Sequence, residues 1–75
     1  MKATLKFNLP DEQIEFNMAV QAPKMRYVLW EMDQWLRGQT KHAPDDMSQD
    51  TFDALILCRE TLRDLMHNES ISFDD

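Results

Sequence analysis

Apolar residues recur with the period of an α-helix in two blocks of this chain, and that periodicity limits the possible folds more than any other feature. From Lys24 to Arg37, the residues Met25, Val28, Leu29, Met32, Trp35 and Leu36 follow the i, i+3, i+4, i+7 pattern. From Gln49 to Asn68, the stripe is Phe52, Leu55, Ile56, Leu62, Leu65 and Met66, with Cys58 on its line. Gly38 is the only glycine and stands where the C-terminal cap of the first helix belongs. Ser48 suits the N-cap of the second, and Asp50 and Asp53 suit the positive end of its dipole. The polar segment 39–47, with Pro44, is short enough to make the helices antiparallel neighbours.

The flanks are less regular. Residues 1–9 read as an extended arm or short strand, because Leu5, Phe7 and Leu9 alternate with polar residues. Residues 10–21 read as a short helix opened by Pro10 with Asp11 and Glu12, and Pro23 is expected to end it. Residues 69–75 form an acidic tail or a second short strand, with Ile71 and Phe73 alternating. The expected fold is therefore mainly α: an antiparallel hairpin of helices 24–38 and 48–68, a short N-terminal helix against it, and possible short terminal β-strands. At 75 residues there is room for one domain, and its core is thin. Small folds compensate with disulfides, metals, oligomers or regular helix packing. Cys58 is the sole cysteine, which excludes an intrachain disulfide and fits a reducing compartment. No secretory leader, lipidation signal or membrane span is read from the sequence, so a cytoplasmic location is expected.

The net charge of −6 is unevenly spread. Residues 1–41 carry six basic and five acidic side chains, whereas residues 42–75 carry only Arg59 and Arg63 against nine acids. Direct nucleic-acid binding is not expected of such a surface, because phosphate contacts need Lys and Arg. The acidity serves solubility or attracts a basic partner.

Catalytic and metal chemistry finds little footing. Cys58 lies on the expected buried stripe, where thiols are inert. His42 and His67 have no i+4 His or Cys partner, and His67 suits the last turn of a helix. Glu12 with Glu15, and Asp50 with Asp53, are each three apart. Two such pairs face to face can hold Mg²⁺ against a phosphate. That spacing resembles the ExxE and ExxD pairs of MazG-type nucleotide pyrophosphohydrolases, an alternative reading of the chain. Each pair also fits a solvated first helical turn, and no basic residues stand ready for the phosphates. No enzyme activity, cofactor or metal is expected.

The aromatic residues divide by helical position. Trp35 falls with Met32 and Leu36 on the main stripe and is expected in the core. Tyr27 and Trp30 lie on a flank, and Arg37 continues their line. Three covers for that flank are open: the N-terminal helix with Phe16, a second copy of the chain, or a different protein. Aromatic residues with arginine are the composition of interface hot spots.

Leu9-Pro10-Asp11-Glu12, Asp33-Gln34-Trp35-Leu36-Arg37 and the closing Asp74-Asp75 resemble a group of small acidic proteins, of unassigned activity, encoded by tailed bacteriophages. The resemblance implies a phage product acting in the host cytoplasm, where such proteins bind and redirect or inhibit host proteins. The leading expectation is a non-enzymatic interaction module. Tyr27, Trp30 and Arg37 would anchor the partner, and Asp45, Asp46, Asp50, Asp74 and Asp75 would steer a basic surface to it. A homodimer through the hairpin is expected because the core is thin. Mimicry of DNA by the carboxylates is a further alternative, opposed by Lys2, Lys6, Lys24 and Arg26 in the first half.

Overall fold

The computed structural model describes residues 1–73 and contains two helices, α1 (Gln13–Lys41) and α2 (Gln49–Asn68), packed as a hairpin. The expected hairpin is present, but its first arm is longer than the sequence pattern indicates. The short helix expected over 10–21 and the helix expected over 24–38 are one continuous α1 of 29 residues that runs through Pro23. Proline lacks an N–H and its ring crowds the carbonyl four residues back, at a cost of about 3 kcal/mol in a helix interior. Pro23 is exposed, so its ring displaces no packed side chain.

Gly38 does not cap α1, since the helix continues to Lys41 and His42 closes it with φ −114°. Here the Thr40 hydroxyl donates to the Arg37 carbonyl at 3.1 Å, and His42 N–H donates to the Gly38 carbonyl at 3.0 Å. These bonds satisfy carbonyls that the helix end leaves open. Ser48 caps α2 as expected: its hydroxyl accepts from Thr51 N–H at 3.2 Å. At the other end of α2, Ser70 takes φ +57°. Ile71 N–H then reaches the Met66 carbonyl at 2.8 Å, and Ser70 N–H reaches that of His67 at 3.0 Å. This pair of bonds is a Schellman motif with serine in the left-handed position that glycine usually fills.

No strand forms among the described residues. Residues 1–8 have no regular secondary structure, and residues 9–12 form a turn. Asn8 and Glu12 close a turn ahead of α1, with Glu12 N–H donating to the Asn8 carbonyl (2.7 Å) and Asn8 N–H to Glu12 Oε1 (2.8 Å). Phe7 then meets Phe16 edge-on at 5.8 Å.

The hairpin is elongated, 55 × 28 × 19 Å, with a radius of gyration of 17.5 Å. A compact domain of this length has a radius near 11 Å. Its core is correspondingly small: Leu36 and Met66 are the buried apolar residues, each 7% exposed. Leu29, Leu55, Ile56 and Leu62 are half-buried around them.

Two substitutions follow from the helix ends. Gly38→Ala introduces a Cβ that meets nothing within 4 Å. It should stabilise the fold by about 0.5–1 kcal/mol, because Gly38 is interior to a helix. Ser70→Gly should stabilise by about 1 kcal/mol by removing the cost of a left-handed serine. Urea unfolding followed by circular dichroism measures both, and a fall in midpoint for either variant contradicts the corresponding assignment.

Candidate interaction surface

The position of every exposed side chain follows from how α1 is clamped to α2. Asp33 is fully buried, with no exposed surface, at the centre of the inward face of α1 between Leu29 and Leu36. Arg59 and Arg63 are four apart on α2 and therefore share a face. Each meets the carboxylate side-on. Arg59 donates from Nε to Oδ1 (3.1 Å) and from Nη2 to Oδ2 (3.2 Å). Arg63 donates from Nε to Oδ1 (2.9 Å) and from Nη2 to Oδ2 (2.7 Å). Gln34 adds a longer bond to Oδ2 at 3.3 Å. Bidentate guanidinium–carboxylate geometry is the strongest form of this contact. The hydrogen bonds from Arg63 outweigh burial and, with those from Arg59, hold the Asp33 carboxyl far below the usual carboxylate range.

With the inward faces fixed, the expected anchor residues can be placed. Tyr27 and Trp30 stack with ring centroids 6.2 Å apart and planes 26° apart, and they remain 60% and 41% exposed. Glu31, four residues from Tyr27, holds the phenol protonated above its ordinary range, first through a hydrogen bond and then through its charge. The N-terminal helix does not cover Trp30, because no separate N-terminal helix exists. Phe16 belongs to α1 itself and lies about 21 Å along the axis from Trp30, where it pairs with Phe7. Arg37 is exposed about 10 Å further along α1.

The acidic residues stand apart from this pair. Asp45 and Asp46 are exposed in the connecting turn, and Asp50 is in the first turn of α2. They occupy the loop end of the hairpin, more than about 16 Å along α1 from Trp30. Asp74 and Asp75 lie outside the described residues. The expected partner-binding residues thus form an aromatic patch on the side of α1 and a separate acidic tip.

Two further expectations are corrected. Trp35 is not core; it is 56% exposed, and Leu36 alone of that pair is buried. Cys58 is exposed and not on the buried stripe. The pairs Glu12/Glu15 and Asp50/Asp53 do not converge, because they stand at opposite ends of an α1 about 43 Å long. No group of three or more potential ligands among the described residues could hold a metal ion. None of the helices among the described residues is long and apolar enough to cross a membrane.

The Asp33 cluster carries a pH dependence with a definite sign. Its carboxyl binds a proton less readily in the folded than in the unfolded chain. Its stabilisation is therefore complete above the ordinary Asp range, near pH 4, and is lost as pH falls below it. Asp33→Asn should lower stability at pH 7 by about 1–3 kcal/mol, a value reduced by the partial exposure of both arginines. It should also flatten the loss of stability between pH 4 and pH 2. Denaturant titrations across that range measure both effects; a variant as acid-sensitive as the parent contradicts the assignment.

Comparison of the chain with protein-family models, with curated proteins and with solved structures finds no match.

Proposed function

We propose that this chain is a small, non-enzymatic interaction module that acts by binding another protein. The observation that carries the reading is the stacked Tyr27–Trp30 pair, left open on a helix whose register is locked by a buried ion cluster. A rigid, exposed aromatic pair offers large contact area with little side-chain entropy left to lose. Arg37 extends the same side of α1, and arginine beside aromatics suits the centre of an interface. The acidic tip at Asp45, Asp46 and Asp50 supplies long-range attraction to a basic partner, which raises the association rate more than the final affinity. The likeness to small acidic phage-encoded proteins supports a host protein as that partner and the host cytoplasm as the place of action.

The test is affinity capture from bacterial lysate with the parent, Trp30→Ala and Tyr27→Ala proteins at matched helicity. A specific partner should be recovered by the parent and lost by either variant, with binding weakened by about 2 kcal/mol or more once the partner is purified. Neutralising Asp45 and Asp46 together should slow association and reduce its salt dependence while leaving dissociation nearly unchanged. Equal recovery by the parent and both aromatic variants refutes the anchor.

A further inference from the structure

The side of α1 away from Tyr27 and Trp30 carries a second apolar stripe. Ile14, Met18, Met25, Val28, Met32 and Trp35 are all between 46% and 72% exposed. Their spacing alternates four and three residues, and Gln21 and Gln39 complete the same series. This is a 3.5-residue repeat sustained from 14 to 39, the pattern of a coiled-coil seam. Measured at 100° per residue from the inward-facing Asp33, the seam lies about 100° round the helix, and Trp30 and Tyr27 lie in the opposite sense. The seam is therefore distinct from both the α2 contact and the aromatic patch.

The exposed area indicates that something covers it. The chain exposes 6719 Å². A compact monomer of 8.9 kDa exposes about 4,800 Å². The excess, roughly 1,900 Å², is more than the ~800 Å² per partner that a standard dimer buries. Part of it belongs to the overhang of α1, whose first turns extend beyond the end of α2. The tail residues Ser70 and Ile71 already stand level with Ala22 and Arg26, so residues 13–21 have no α2 beside them.

We infer that the cover is a second copy of this chain, with the two α1 helices antiparallel and the two-fold axis passing between Arg26 and Tyr27. In that register Met25 meets Val28 of the second copy, Met18 meets Trp35, Gln21 meets Met32 and Ile14 meets Gln39. Every seam position from 14 to 39 finds an opposite number. The overhang of each α1 lies against the clamped half of the other. Beside the seam, Lys24 of each copy lies two residues, about 3 Å along the axis, from the level of Glu31 of the other, within reach of two symmetric ion pairs. Charge complementarity decides the direction. In a parallel arrangement Lys24 would face Leu29 and Glu31 would face Leu36, and no ion pair would form. The antiparallel pair is isologous and closed, so it ends at two copies. This dimer does not depend on the aromatic anchor; Glu31 also pairs with the Tyr27 hydroxyl, so Lys24→Glu and the cysteine pairing, which leave Tyr27 and Glu31 unchanged, separate the two.

Lys24 and Glu31 are exposed and outside the hairpin core, so reversing them leaves the hairpin intact. Sedimentation equilibrium should give a dimer for the parent. Lys24→Glu and Glu31→Lys should each weaken association by about tenfold or more, because two attractive pairs become repulsive. The double variant should recover nearly all of the parent's affinity. In a Cys58→Ser background, Met25→Cys chains mixed with Val28→Cys chains should oxidise to the mixed disulfide ahead of either symmetric one. A parent that stays monomeric at all concentrations overturns the dimer. A double variant weaker than both singles, or dominance of the symmetric disulfides, overturns the antiparallel register.

Discussion

The carboxylate of Asp33, held by Arg59 and Arg63, is the contact on which the rest of this structure depends. A two-helix hairpin whose buried apolar side chains, among the described residues, are Leu36 and Met66 has little hydrophobic drive to choose one alignment over another. Four short charge-assisted bonds across the interface supply the choice. Sliding or rotating either helix by one residue would strand a carboxylate in the seam and leave two guanidinium groups without it. A buried ion pair is weak grounds for net stability, because desolvation offsets much of the attraction. Its value here lies in specificity, since it sets both the axial register and the rotation of α1. That rotation determines which of the remaining side chains face outward.

Its consequence is a helix with three distinct faces. One face of α1 meets α2. A second carries the stacked aromatic pair. The third carries the heptad seam. A chain of this size has too little volume to bury three faces within itself, because surface grows relative to volume as domains shrink. The elongated shape follows directly: α1 extends past α2, and Phe7 packs on Phe16 over its first turns.

Much of this was legible in the sequence, and the failures have physical causes. The hairpin, the Ser48 cap and the span of α2 follow from periodicity and local hydrogen bonding, which act over a few residues. Pro23 misleads because the rule for proline weighs one lost bond and a local clash. The spacing of Ile14, Met18, Met25, Val28, Met32 and Trp35 keeps one helical phase across Pro23, with Gln21 its polar member, and a rule confined to the proline's own turn does not register that continuity. Gly38 misleads similarly: a glycine is compatible with a cap but does not compel one, and Thr40 and His42 finish the helix instead. Asp33 was the harder case. Its spacing to Arg37 fits a surface pair, yet it falls between Leu29 and Leu36 on the inward stripe. A charge in that position calls for a partner across the interface, and the i, i+4 arginines of α2 lie between Leu55, Leu62 and Met66 on the matching stripe. Trp35 shows the converse. Its place beside Leu36 suggests core, but adjacent residues on a helix point about 100° apart, and the clamp at Asp33 turns Trp35 outward.

The two proposed surfaces are compatible because α1 separates them. Self-association along the seam buries Met25, Val28 and Met32 and leaves Tyr27 and Trp30 on the outer side of each copy. A closed antiparallel dimer then presents two aromatic pairs on opposite outer faces. Binding a target with repeated sites, or two targets at once, would gain effective concentration without any new contact. The acidic residues add to this arrangement. Asp45 and Asp46 sit at the loop end of each hairpin, so the two-fold axis places the acidic tips at opposite ends of the assembly, away from the seam. Each end of the assembly then presents the acidic tip of one copy to a basic surface.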